Sequence, residues 1–165
     1  MSVRPIRLYG DPVLTSVCDP IKSFDEKASA LIADLLDTTS EPGRAGVAAN
    51  QIGVALRAFS FNVDSRKGYL INPENLECFG EPELVDEGCL SIPGQWHQVM
   101  RFPEAKLSGY QLDGKLITVH GHGVLAQALQ HELDHLNGYL YIDRLSPEAR
   151  KEAMSQLRKS DWFLN

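Results

Sequence analysis

No stretch of this 165-residue sequence approaches ~18 consecutive apolar residues, so no membrane-spanning helix is expected. Basic residues are not in excess. Lys and Arg number 16 against 22 Asp and Glu, a formal net charge of −6, which leaves no footprint for direct nucleic-acid binding. Cysteine is scarce: Cys18, Cys78 and Cys89 are odd in number and far apart, which makes no disulfide framework and suits a reducing compartment. Cys18 and Cys78 read as buried small hydrophobes. The charge near the N-terminus has no apolar run behind it, so no signal peptide is expected. No repeat, low-complexity tract or Pro/Gly/Ser-rich linker divides the chain, and a single domain over residues 1–165 is expected, with no regulatory extension. The one mildly basic stretch, Arg144 to Lys159, alternates in sign and reads as a solvated helix face.

What is present predicts an α+β domain. Arg4 to Pro20, broken by prolines and Gly10, reads as extended and looping. A helix is predicted from near Ser23, with Glu26 completing a capping box and Ala28, Leu31, Ile32, Leu35 and Leu36 forming its apolar stripe. Ala58 to Val63 alternates as a strand. Tyr69-Leu70-Ile71 is a short strand stopping at Asn72-Pro73. Ala105 to Leu112 and Lys115 to Val119 flank Asp113-Gly114, a type I′ hairpin signal. A second helix is predicted from about Gly123 to Asn137 on the stripe Leu125, Leu129, Leu133 and Leu136, followed by Gly138. A third starts at Ser146-Pro147 and buries Ala149, Ala153 and Leu157.

Chemistry concentrates in the second helix, at His131-Glu132-Leu133-Asp134-His135. Histidines at i and i+4 share a face one turn apart, so both imidazoles can reach one metal ion, and Glu132 can reach water beside it. A hydrolytic metal site needs a third protein ligand. Cys89, in Glu87-Gly88-Cys89-Leu90-Ser91, is one candidate; His120, His122, Asp143 and Glu148 are others. His97, beside Trp96, reads as a packed or surface residue. The small residues of Gly46-Val47-Ala48-Ala49-Asn50-Gln51 permit close backbone approach, with the Gln51 amide able to donate to a developing oxyanion. A zinc endopeptidase would use the same helix, but no further glutamate helix, third histidine or Met-turn accompanies it.

Taken together, Arg44-Ala45-Gly46-Val47-Ala48-Ala49-Asn50-Gln51, Glu87-Gly88-Cys89-Leu90-Ser91 and His131-Glu132-Leu133-Asp134-His135, in that order, resemble the three motifs of the peptide deformylases, in their bacterial type I form. The resemblance implies antiparallel sheets around a central metal-binding helix, with N- and C-terminal helices. It implies removal of the N-formyl group from the N-terminal formylmethionine of new polypeptides, releasing formate. Cys89, His131 and His135 would hold one ion, Fe²⁺ or alternatively Zn²⁺, Ni²⁺ or Co²⁺. A thiolate-bound Fe²⁺ is oxygen-sensitive through Cys89. Glu132 would be the general acid/base, and Gln51 with the Leu90 amide would face the carbonyl oxygen. Ala45, Gly46, Val47, Gly88, Gln127 and Ala128 would bind substrate. Glu87 and Arg101 stand at positions that pair in the family, the alternative being an exposed ion pair worth ~0–1 kcal/mol. Asp134 is a candidate to orient a ligand imidazole. The resemblance also implies a bacterial cytoplasmic monomer working near the ribosome on formylmethionyl peptides.

Two positions depart from the pattern. Arg44 replaces the first glycine of the first motif, which would strain the chain if that position needs positive φ, unless Gly43 serves instead. Arg44 is also the sole support for a non-enzymatic, metal-stabilised binding protein. Gln127 stands where the family has an apolar residue, either polarising the methionine pocket or facing solvent.

Overall fold

The apolar stripe Ala28, Leu31, Ile32 and Leu35 is buried in helix α1 (Glu26–Thr39), in a computed structural model that describes residues 2–163. Met1, Leu164 and Asn165, the ends of the expected domain, lie outside the described residues. The cap of α1 is Asp25 rather than Ser23. The Asp25 carboxylate accepts from the Lys27 and Ala28 amides, and the Ser23 hydroxyl donates to that carboxylate. A carboxylate is the better acceptor for free amides at the positive end of a helix.

The strands are β1 (Gly46–Ala48), β2 (Ala58–Val63), β3 (Arg66–Phe79), β4 (Glu83–Cys89), β5 (Ile92–Arg101), β6 (Glu104–Tyr110) and β7 (Leu116–His122). Five form an antiparallel sheet in the order β1-β2-β3-β6-β7, and β4 pairs with β5 in a separate two-stranded sheet. Helices α2 (Gly123–Leu136) and α3 (Pro147–Leu157) complete the α+β fold, as the sequence predicts.

Helices cover both faces of the sheet where β1, β2 and β3 lie. Val47, Ala58 and Ile71 pack with α1, whereas Ala48, Phe59 and Leu70 pack with Leu125, Leu129 and Leu136 of α2. Neighbouring strand residues point to opposite faces, so β2 is buried on both. The third core joins Ile92 and Val99 of β5 to Ala153 and Leu157 of α3.

Two turn expectations are corrected. The two-residue turn with positive φ at both positions is Asp64-Ser65 (φ 49° and 65°), closed by the Val63–Arg66 pair. Asp tolerates the left-handed region, so no glycine is needed. At Asp113-Gly114 only Gly114 has positive φ (80°), and its amide donates to the Gln111 carbonyl in a three-residue loop. Nor does β3 stop at Asn72-Pro73. Asn72 (φ 48°) is a bulge held by two hydrogen bonds between its side chain and the Ile21 backbone, at 2.8 and 2.9 Å, and the strand continues to Phe79.

Candidate metal centre

The core stripe of α2 fixes its rotation, and with it His131 and His135. Their rings stand edge to face, 4.8 Å apart, with the Nε2 atoms 3.1 Å from each other. Cys89 ends β4, where the ladder slips between Gly88 and Cys89, and its Sγ lies 3.3 Å from His135 Nε2. These three ligand atoms lie within 4.8 Å of one another, forming a group able to hold a metal ion. Bonds of 2.0–2.3 Å in tetrahedral geometry place ligand atoms about 3.3–3.6 Å apart, close to the observed spacings. A soft thiolate with two imidazoles is a set for Zn²⁺ or Fe²⁺, not for Mg²⁺ or Ca²⁺. His120 and His122 lie apart from this group, paired with Glu104. Asp143 accepts from the Leu140 amide and pairs with Arg150.

The Nδ1 atom of His131 lies 2.6 Å from Glu87 Oε1, which aims its Nε2 toward Cys89 and His135. Burial alone would lower His131, but the Cys89 sulfur and the Glu87 carboxylate outweigh it and hold the imidazole well above its usual range. Burial and the neighbouring His131 push His135 well below that range, and its Nδ1 is buried without a partner. Glu87 in turn accepts two bonds from Arg101, at 2.9 and 2.6 Å. Both side chains are 3% exposed, so this is a buried pair rather than an exposed one. Burial would raise the Glu87 carboxyl, yet the bonds from Arg101 and His131 hold it down at about 2.

Asp134 touches neither imidazole. It accepts from Arg101 Nη1 at 2.9 Å and from Arg144 Nε and Nη2, both at 2.6 Å. Two carboxylates and two guanidinium groups thus cancel, which lowers the cost of burying them. Arg144 is therefore no member of a merely solvated face. Nothing in its local sequence marks it, since its partner lies on the preceding helix.

A cavity of about 440 Å³ opens beside the group, lined by the Gly43–Gly46 loop, β4, β5 and α2. Glu132 reaches it 3% exposed, with Oε2 lacking any partner, and burial pushes its carboxyl up to about 7. A Cβ at Gly46 would sit 2.5 Å from Glu132 Oε1, so only glycine leaves this carboxylate its place. Gln51 Oε1 accepts from the Ala48 amide, turning its Nε2 toward Cys89 Sγ (3.6 Å) and Ser91 Oγ (3.2 Å). Leu90 lines the same space.

Of the residues expected to bind substrate, Ala45, Gly46, Gly88, Gln127 and Ala128 line the cavity. Val47 does not: its side chain is fully buried against α1. Gln127 does not face solvent idly. Its Nε2 donates to the Asp86 carbonyl at 3.0 Å and to Glu87 Oε2 at 3.2 Å. Arg44 is unstrained, because Gly43 takes the positive φ (79°) and Arg44 Nη1 donates to the Thr38 carbonyl at the end of α1. Trp96, 72% exposed, lines the cavity without having been marked by the sequence, and Ser91, fully buried, holds the Gln51 amide from behind. His97 packs, as expected, with Nδ1 3.1 Å from the Tyr141 hydroxyl. Cys18 is buried and its thiol is pushed up to about 11, whereas Cys78 is only half-buried, contrary to the expectation.

Residues 3–151 match the family model described as polypeptide deformylase. A peptide deformylase of Acidothermus cellulolyticus is 45% identical over 98% of this chain and 89% of its own. The crystal structure of a peptide deformylase from Legionella pneumophila superposes with a TM-score of 0.88 at 35% identity, covering 96% of this chain and 95% of that one. That of the Ehrlichia chaffeensis protein, in complex with actinonin, gives 0.89 at 29% identity, covering 98% and 99%.

Proposed function

The chain belongs to the polypeptide deformylase family, and on that premise we propose that it removes the N-formyl group from formylmethionyl peptides, releasing formate. The observation that carries this reading is the meeting, beside one cavity, of the Cys89, His131 and His135 group with Glu132, whose Oε2 lacks a partner. We assign Fe²⁺ to the three ligands, with Zn²⁺, Ni²⁺ and Co²⁺ able to replace it. Such an ion supplies Lewis acidity toward a carbonyl oxygen and makes nearby water acidic enough to ionise near neutrality.

The chain's own groups do the rest. Glu132, its carboxyl raised by burial to about 7, takes a proton from the attacking water and returns it to the leaving amine. Gln51 Nε2, locked by the Ala48 amide, and the Leu90 amide face the oxygen on which negative charge gathers. Because β1 is an edge strand, the outward-facing Gly46 backbone can pair with an extended peptide, with Ala45 and Gly88 lining its path. Val47 falls outside that pairing: the Asn62 amide donates to the Ala45 carbonyl, so two residues on the Val47 backbone faces Ser60 of β2, and its side chain is buried. Gln127 and Ala128 flank the room for the methionine side chain, and Gln127 braces Glu87. Residues 1–165 act as one catalytic domain. The protein works as a monomer in the bacterial cytoplasm, close to the ribosome where its substrates emerge. No described helix is long and apolar enough to cross a membrane.

Formate release from formyl-Met-Ala-Ser tests the proposal. Protein loaded anaerobically with Fe²⁺ or Ni²⁺ should turn it over, and absence of turnover would overturn the reading. Glu132→Gln should lower kcat by roughly 10²–10⁴-fold while bound metal stays constant.

A further inference from the structure

A second group of ligands lies at the far edge of the five-stranded sheet. Glu104 opens β6 and stands directly opposite His122 at the end of β7. His120, two residues earlier, shares that face, because side chains alternate along a strand. His120 Nε2 is 2.6 Å from Glu104 Oε1, and His122 Nε2 is 3.5 Å from the same oxygen. The two rings lie 4.9 Å apart. All three ligand atoms fall within 4.8 Å of one another.

We propose that Glu104, His120 and His122 form a second binding site for a divalent transition cation of the Zn²⁺ type. Two imidazoles with one carboxylate are a borderline-soft set that favours such ions over Ca²⁺ or Mg²⁺. The alternative is a plain histidine–carboxylate hydrogen bond, and it accounts for His120 alone. His122 is also turned to the same oxygen, but at a distance too long for a hydrogen bond. Neighbouring cations are engaged elsewhere: Lys106 Nζ lies over the Phe79 ring at 5.3 Å, and Arg66 donates to the His120 carbonyl at 2.9 Å. The side chains are 32–68% exposed, which leaves coordination positions for water and an open route of entry. His122 is also the N-cap of α2 and gives that helix no side-chain cap bond. An ion here would tie β6 to β7 at the point where the chain enters the helix carrying His131 and His135. The positive helix end opposes a cation, and the Glu104 charge offsets it.

Equilibrium dialysis of the full chain against Co²⁺, read with the thiolate-to-cobalt absorption band, separates the two sites. The native protein should take up a second equivalent that adds nothing to the thiolate band. H120N/H122N should lose that equivalent and keep the band. Glu104→Gln should bind it at least roughly tenfold more weakly. Cys89→Ser should lack the band yet retain the thiol-independent equivalent, so failure of the Cys89 site and failure of this one read differently. A native chain that saturates at one equivalent, or a second equivalent surviving in H120N/H122N, overturns the proposal.

Discussion

Gly46 and Glu132 occupy one place between them: the carboxylate of Glu132 fills the volume that a side chain on Gly46 would need. The edge strand that is proposed to hold substrate and the group proposed to move its proton are thereby in direct contact. Gly46→Ala has no backbone strain to contend with, since Gly46 has no positive φ. Its effect falls on the carboxylate. A displacement of about 1 Å costs roughly 10²-fold in rate. Steady-state formate release should fall by that order, with metal content and melting temperature nearly unchanged.

Gln51→Leu removes the amide that faces the cavity and leaves the metal group intact. Losing one donor to a developing oxyanion costs roughly 10²–10³ in kcat. A comparison of kcat with KM checks this: the loss should appear in kcat, because the amide is proposed to meet charge that forms during reaction.

Arg101→Met leaves Glu87 and Asp134 buried without their shared cation. Breaking such a pair from one side costs about 3–5 kcal/mol, to be read as a lowered midpoint in urea. Arg144→Ala removes a side chain that is itself 47% exposed and should cost clearly less. Equal losses from the two would mean that Arg101 is not the keystone between the carboxylates.

Acid should act through Glu87. Its carboxyl is held at about 2 in the folded protein against an ordinary 4.5. A lowered carboxyl stabilises the fold fully above the unfolded value and loses that contribution as pH falls toward the folded one. The urea midpoint should therefore decline between about pH 5 and pH 2. The decline should be shallower in Glu87→Gln, which starts less stable at neutral pH.

The helices were legible because local physics places them. The spacing of Leu125, Leu129 and Leu136 sets the face of α2, and i, i+4 spacing then brings His131 and His135 together. Cys89 was one candidate among several until its neighbours suggested a family, since β4 and β5 show no clean alternation and carry Pro93 and Gly94 inside a ladder. The bonds from Asp134 to Arg101 and Arg144 were not legible at all. They join residues on separate elements through long side chains, and no short-range pattern records them. β3 was cut short for the opposite reason: Asn72-Pro73 is a sound local stop signal, overridden by the Ile21 backbone that Asn72 grips.

The pairing of Cys89 with His135 and of Glu87 with His131 spans 46 and 44 residues. Contacts of that range cost loop-closure entropy before they are made, and neither can form until both partners have been synthesised. During its own synthesis the chain therefore lacks the complete proposed ligand set until α2 has left the ribosome and met the β4–β5 hairpin. On the proposed ligand set, metal capture is in consequence a late folding event, and partly made copies of the protein carry Cys89 without its two histidine partners through that interval.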